Sequence, residues 1–263
     1  GMNIRQTPHR FAETTNLENL KCAKNIRIEK SLLGIGTLGG GNHFIELDKS
    51  DSGYYLVIHS GSRHLGVEVE RYYHEIAYER TKDDVPYEFV YLEGELFEDY
   101  LFDMKIVQNF ASLNRQAMAA DIIKGMKFTE IESFSTIHNY IDTDNKILRK
   151  GAISARDGEK IIIPLNMRDG CLICEGKGNA DWNFSAPHGA GRAYNRADTV
   201  NSFTLSQYKK EMKGIYSTSI SREKLDECPM AYKNSQNIID AIGPTAEIIE
   251  RLTPLYNYKA GAR

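Results

Sequence analysis

Four short segments of this chain each set a histidine beside glycine or asparagine: Gly39-Gly40-Gly41-Asn42-His43, His59-Ser60-Gly61-Ser62-Arg63, His138-Asn139 and His188-Gly189-Ala190-Gly191-Arg192. Imidazole is a common ligand for divalent metals, and glycine-rich backbone can approach a phosphate closely and aim its amides at it. Three such histidines with their glycine loops compose a metal-and-phosphate site, and a fourth can serve as nucleophile. His188 fits that last role best. Pro187 before it and Gly-Ala-Gly after it leave the ring little steric cover, and Arg192 follows one turn later. An exposed, oriented imidazole beside an arginine suited to phosphate is what attack on phosphorus requires.

Each segment also has a plainer reading. Gly39-Gly40-Gly41 is equally a simple glycine turn ahead of a satisfied histidine, and His138, in an Ile-His-Asn-Tyr setting, is equally a core residue. His59 closes an apolar run, where an unpartnered imidazole would be costly, and Arg63 four residues on suits bidentate phosphate contact. His9, His64 and His74 lack such surroundings and read as surface or packing residues.

The elements that must carry these segments follow from periodicity. Residues 54–58 (Tyr-Tyr-Leu-Val-Ile) read as a buried strand delivering His59 to a Gly/Ser turn. Gly66 to Lys82 carries a helical pattern. From Glu95 to Met126, apolar residues recur at helical spacing with no glycine or proline before Gly125, which predicts one long helix. Phe128–Ile141, Ile153–Pro164 and Cys171–Glu175 read as strands. Thr204-Leu-Ser-Gln207 fits a capping box, and Ser235 to Leu252 reads as a last helix, broken near Gly243-Pro244. Strands and helices without βαβ alternation predict an α+β fold.

Composition bounds the class. With 263 residues, 41% hydrophobic and 26% charged, the chain can bury a full core, and its net charge of -3 argues against a surface coated for nucleic acid while allowing a local basic groove. No apolar run reaches the roughly 18 residues of a membrane helix. No signal-peptide pattern opens the chain, so a cytoplasmic location is expected. Gly1 ahead of Met2 reads as a remnant of expression. Cys22, Cys171, Cys174 and Cys228 are expected to be reduced thiols; Cys171-Leu-Ile-Cys174 is half a zinc or redox motif on paper, but its apolar filling reads as a buried strand.

The ordered motifs Gly36-Thr37-Leu38-Gly39-Gly40-Gly41-Asn42-His43-Phe44-Ile45-Glu46, His59-Ser-Gly-Ser-Arg63, His138-Asn139-Tyr140, Arg149-Lys150-Gly151-Ala152 and His188-Gly-Ala-Gly-Arg192 resemble those of RtcB-type RNA ligases. Ala231-Tyr232-Lys233 and Lys259 continue the likeness, which runs from about Leu33 onward. It implies a segment of uncertain structure over 1–32, and over 33–263 one catalytic domain with mixed strands around a central site and helices outside. It implies a GTP- and Mn2+-dependent enzyme joining RNA 2′,3′-cyclic phosphate or 3′-phosphate ends to 5′-hydroxyl ends, as in tRNA splicing and RNA repair. By motif, His188 would take GMP as a phosphoramidate, and His43, His59 and His138 would hold metal. Asn42, Arg63, Asn139, Ala190, Gly191 and Arg192 would hold phosphates, while Glu46, Tyr232 and Lys259 would meet the guanine or its surroundings. RNA ends and an archease-like activator are the implied partners, and the oligomeric state is left open.

Two departures stand beside the matches. Relatives carry an Asp-x-x-Cys segment well before the Gly-Gly-Asn-His motif, whose aspartate and bridging cysteine help hold two metals. Residues 1–42 contain none, and Cys22 has no aspartate three residues earlier. Two ions lacking a shared anionic ligand repel more strongly, so one metal on three histidines stands beside two as a reading: two would support the ligase, one or none the impaired relative. Ile163-Pro-Leu-Asn-Met-Arg-Asp-Gly170 replaces a usual Pro-Gly-Ser-Met-Gly stretch, so Asn166, Arg168 and Asp169 imply altered nucleotide or end recognition. Trp182 suits stacking on a base or, more plainly, packing. Two further readings compete with the ligase: an impaired relative that binds metal, nucleotide or RNA ends without sealing them, and a phosphatase or nuclease with no covalent intermediate.

Overall fold

A computed structural model of the chain describes residues 4–260. The N-terminal stretch forms short 3-10 turns, Arg10–Thr14, Leu17–Asn19 and Ala23–Asn25, followed by helix α1, Ile28–Leu32. These turns bury Ala12, Leu17, Leu20, Cys22 and Ile26 in one cluster with Leu65, Val69 and Tyr73 of α2 (Arg63–Thr81) and with Val107, Phe110 and Ala117 of α3 (Gly94–Met126). Both helices follow the expected periodicity, with α2 beginning three residues earlier than predicted. The spacing of Val107, Phe110, Asn114 and Ala117 places them on one face of the 33-residue α3. At its end Lys127 adopts φ 57°, and the amides of Lys127 and Phe128 return to the carbonyls of Lys124 and Ile123. That is a Schellman cap, which stops the helix by satisfying its last carbonyls.

The strands are β1 (Phe44–Lys49), β2 (Tyr54–His59), β3 (His138–Asp142), β4 (Ile147–Ser154), β5 (Lys160–Asn166), β6 (Gly170–Gly176) and β7 (Ser185–Pro187). After them come α4 (Arg196–Ser202), α5 (Leu205–Glu211), β8 (Tyr216–Ser217), α6 (Ser235–Ala241) and β9 (Ala246–Lys259). One sheet runs β2-β1-β9-β6-β5, antiparallel throughout, with β8 added parallel to β9; a second runs β3-β4-β7. The fold is α+β, as composition and pattern predicted.

Three expected elements differ. Of Phe128–Ile141, only the end from His138 is strand, because the earlier residues are largely exposed and have no ladder to join. Ile153–Pro164 divides into the end of β4 and the start of β5 around Gly158, whose φ of +72° turns the chain. The last helix stops at Ala241, and residues 246–252 belong to β9; Gly243-Pro244 is the boundary between two element types rather than a kink in one. The capping box at Thr204 and Gln207 forms as predicted, with both reciprocal hydrogen bonds.

Cys171 to Cys174 lie fully buried on β6, so the strand reading of that segment holds, and all four cysteines are free thiols. Among the described residues no helix is long and apolar enough to cross a membrane.

Candidate active site

The four motif histidines meet. His43 precedes β1, His59 ends β2, His138 opens β3 and His188 follows β7. Their rings form a row, with centroids 5.5 Å apart from His43 to His59, 5.2 Å from His59 to His138 and 4.9 Å from His138 to His188. Sheet register sets part of this: Phe44 pairs with His59, and Ala152 of β4 pairs with Pro187. Asn114, fully buried on α3, sets more of it. Its Oδ1 accepts the amides of Gly36 and Thr37 at 2.8 and 3.0 Å, and its Nδ2 donates to Ser60 Oγ and the Gly61 carbonyl at 3.0 Å each. One amide thereby locks together the loops that carry His43 and His59.

Backbone carbonyls fix the tautomers. His43 Nδ1 donates to Leu38 O at 2.8 Å, His59 Nδ1 to Asn42 O at 3.3 Å and His188 Nδ1 to Gly151 O at 2.6 Å. A carbonyl only accepts, so each of these rings keeps its Nε2 lone pair free. Burial lowers the basicity of His43 and His138, and takes His59 down to about 3 with help from the neighbouring imidazoles. These rings are neutral at physiological pH, the form that ligates metal. His59 Nε2 and His138 Nε2 stand 3.0 Å apart, and His138 Nδ1 is buried without a partner. With its Nε2 lone pair, His59 accepts from His138 in the metal-free pair; moving that proton to the unpartnered His138 Nδ1 would turn both Nε2 lone pairs to a divalent cation, which the lowered proton affinity favours.

Gly151 belongs to the Arg149-Lys150-Gly151-Ala152 motif and holds φ +66°; the buried Arg149 guanidinium braces that strand through Ser185 Oγ, Tyr140 OH and Phe184 O. Asn139, at φ 54°, accepts the Gly151 amide at 2.6 Å, so it braces the carbonyl that orients His188. Arg63 lies over Gly39, where an added Cβ would fall 1.5 Å from its Nη1, and its Nε donates to Thr37 Oγ1 at 3.1 Å. Only glycine fits beneath that guanidinium. Asn42 is exposed in the turn before His43.

The remaining predicted residues form a second group around Glu227, a buried carboxylate that the sequence reading missed. Tyr232 OH donates to Glu227 Oε2 at 2.6 Å, Lys259 Nζ lies 3.6 Å from the same oxygen, and Arg196 Nη1 reaches Oε1 at 2.7 Å. Arg192 lies over the Tyr232 ring and donates to Tyr194 O, Thr199 Oγ1 and Asp226 O. Its guanidinium is thus largely engaged within the protein. Ala190 is buried, with its amide on Pro164 O, and Gly191, at φ +72°, accepts the Lys233 amide. Lys259 Nζ sits over Phe44, 4.4 Å from the ring centre, which joins this group to the histidine row. Glu46 is buried two residues further along β1, near Cys171.

Arg115, also unforeseen, brings a positive charge beside His138 while donating to Ser60 O and Ser135 Oγ. Of the divergent segment, Asn166, Arg168 and Asp169 bond chiefly to one another and to Ser235 and Glu211, so they tie a turn together. Trp182 is 59% exposed in a 3-10 turn and is not part of the core.

Comparison with known proteins gives this geometry its family. The family described as tRNA-splicing ligase RtcB matches residues 3–260. The RNA-splicing ligase RtcB of Escherichia coli (strain K12) is 33% identical over 246 residues, covering 83% of this chain and 59% of that protein. The tRNA-splicing ligase RtcB of Pyrobaculum aerophilum is 26% identical, covering 79% of this chain and 55% of that protein. The chain therefore spans less than two thirds of the length of these relatives. A histidine row assembled from the expected motifs, a family match along nearly the whole chain and a relative at one-third identity lead to one conclusion: the chain belongs to the RtcB family.

Proposed function

We propose that this chain performs RtcB-type RNA ligation, joining 2′,3′-cyclic phosphate or 3′-phosphate RNA ends to 5′-hydroxyl ends through a GMP–His188 intermediate. The observation that carries the reading is the hydrogen bond from His188 Nδ1 to Gly151 O at 2.6 Å, at the end of a row of imidazoles. In the neutral ring it puts the proton on Nδ1 and the lone pair on Nε2, aimed by a rigid strand, as a nucleophile needs.

In the first step Nε2 attacks the α-phosphorus of GTP, forming an N–P bond while pyrophosphate leaves. A 2′,3′-cyclic end is first opened by water, which breaks the P–O2′ bond and leaves a 3′-phosphate; the GMP group then passes to that 3′-phosphate, regenerating the imidazole. Attack by the 5′-hydroxyl on that activated phosphate expels GMP and forms the phosphodiester. His43, His59 and His138 would hold Mn2+, which when bound neutralises phosphate charge and polarises phosphoryl oxygens. Arg63, Asn42, Asn139, Ala190, Gly191 and Arg192 would hold the phosphates, with Arg115 adding a cation beside His138. Glu46, Tyr232 and Lys259 lie on the side assigned to guanine. The setting is cytoplasmic, the substrates are RNA ends from tRNA splicing or damage, and an archease-like protein serves as activator.

The test is incubation with radiolabelled GTP and manganese, followed by denaturing electrophoresis under neutral-to-alkaline conditions. A labelled band in the wild type, absent from His188→Ala, is expected; no band, or one that survives the substitution, overturns the assignment. Binding without sealing is the second reading, favoured by the internal engagement of Arg192 and the burial of Glu46. It predicts GTP binding or labelling with no joined RNA product.

A further inference from the structure

Behind the histidine row, three side chains from two strands face one another with almost nothing to satisfy them. Glu46 and Asp48 alternate on β1, and Cys171 lies on β6. One ligand atom from each lies within 4.8 Å of the others, and all three residues are buried. A β-bulge makes the meeting possible. Leu47 pairs with Tyr256 and Asp48 with Pro254, so β9 skips Leu255 and brings Asn257, opposite Glu46, and Pro254, opposite Asp48, to one side. Leu252, two residues before Pro254, pairs with Cys171 and completes that face.

The cluster is acidic, and little around it matches its oxygens. Asp48 is 0% exposed, and neither of its carboxylate oxygens has a hydrogen-bond partner. Asn257, also 0% exposed, gives its Nδ2 to Met167 O at 2.9 Å and leaves Oδ1 without a partner. Cys171 Sγ approaches Glu46 Oε2 at 3.9 Å. Lone pairs converging in a dry interior cost several kcal/mol unless something positive meets them. Lys259, whose charge is felt at Glu46, supplies part, but its ammonium lies against Glu227 and Phe44.

We propose that Glu46, Asp48 and Cys171, with Asn257 Oδ1 as a fourth donor, form a binding site for a zinc-type divalent cation, separate from the three-histidine site. Two carboxylates, a thiolate and an amide oxygen make a mixed oxygen and sulfur set, which suits a borderline cation such as Zn2+ or Co2+ over Mg2+. Ligands at tetrahedral zinc distances stand about 3.6 Å from one another, so closure from the observed spacing needs only small side-chain shifts. Binding replaces the Cys171 S–H bond with an S–metal bond and releases that proton to solvent, together with any held by Glu46 and Asp48, with no change of oxidation state. Two carboxylates, one thiolate, one divalent cation and Lys259 then sum to no net charge. The ion would clamp β1 to β6 across β9 behind the loop that carries His43. The two readings share Glu46, which the ligase reading sets toward guanine, but the cation is reported by Cys171, which lies outside the ligase site, so each can fail without the other.

Cobalt is the probe. The full chain, stripped with chelator and then either incubated or refolded with Co2+, should develop a near-ultraviolet thiolate-to-cobalt charge-transfer band. The histidine site has no thiolate and cannot give one. The band should survive His59→Ala and vanish in Cys171→Ser, with far-ultraviolet circular dichroism unchanged. Asp48→Asn should weaken cobalt binding at least tenfold while keeping the band at saturation. No band after either treatment overturns the site, as does a band that persists in Cys171→Ser, which would report Cys22, Cys174 or Cys228. Unchanged cobalt affinity in Asp48→Asn overturns it as well.

Discussion

Asp103 and Asp48 are both 0% exposed, yet their surroundings are opposite. Asp103, on α3, accepts the Lys21 amide at 2.7 Å, the Cys22 amide at 3.1 Å and Tyr73 OH at 2.8 Å. Its charge is matched by donors from the N-terminal turns and α2, so it serves as a structural tie. Asp48, on β1, has no donor at all among the described residues. A buried carboxylate with donors holds a fold together; one without them is either protonated or waiting for a cation. Burial alone does not tell the two apart, and the list of partners does.

The sharpest way to break this contrast is Asp103→Ala. It strands two amides and a hydroxyl, and should cost about 3–5 kcal/mol in a urea titration. A cost near zero would mean that those donors find water or other acceptors. Asp169 lies between the extremes: burial pushes its carboxyl up, but Arg168, Ser235 and Asn166 hold it down to about 2. A depressed carboxylate stabilises above its unfolded value, 3.8, and loses that contribution as pH falls towards 2. Asp169→Asn should therefore cost about 2 kcal/mol at pH 7 and flatten the acid limb of the stability curve.

Asp48 has the reverse sign. Burial raises it from 3.8 to about 7, and burial with the adjacent Asp48 charge raises Glu46. In the metal-free protein the folded state keeps a proton that the unfolded state has lost, so stability falls as pH rises from about 4 through 7. Asp48→Asn should stabilise the chelator-treated chain by about 1–2 kcal/mol at pH 8 and do almost nothing at pH 4. Saturating zinc should invert the effect at pH 8, because the ion then loses a ligand. The smallest change belongs to the exposed Lys105–Asp144 pair at 2.9 Å. Asp144→Asn should stay within about 0.5 kcal/mol in the same titration.

Much of the arrangement was legible in the sequence where local chemistry decides it. The long α3 followed from its apolar spacing, the cap at Thr204 from the Ser/Thr-x-x-Gln rule, and the convergence of His43, His59, His138 and His188 from glycine-flanked motifs. Residues 246–252 misled, because Ile248, Ile249 and Leu252 fit a helical face when read in continuation from Ile238. Only pairing with β6 makes the segment a strand. Asn114, Glu227 and the Glu46–Asp48–Cys171 group were invisible for a related reason, since their partners lie on distant elements. One signal was present: Glu46 and Asp48, two positions apart in an apolar strand, must share a face.

The fourteen residues of β9 occupy the middle of the larger sheet, between β1 and β6, although they follow every other element in the chain. During synthesis the β1–β2 and β5–β6 hairpins emerge first and have no common neighbour until residues 253–259 of β9 leave the ribosome. Each then offers an unpaired edge, the condition that invites pairing with the wrong chain. The helical layer around α2 and α3 can consolidate earlier, because every residue of its core precedes β3. A stop codon before Thr253 would therefore leave two disconnected hairpins instead of a slightly smaller sheet.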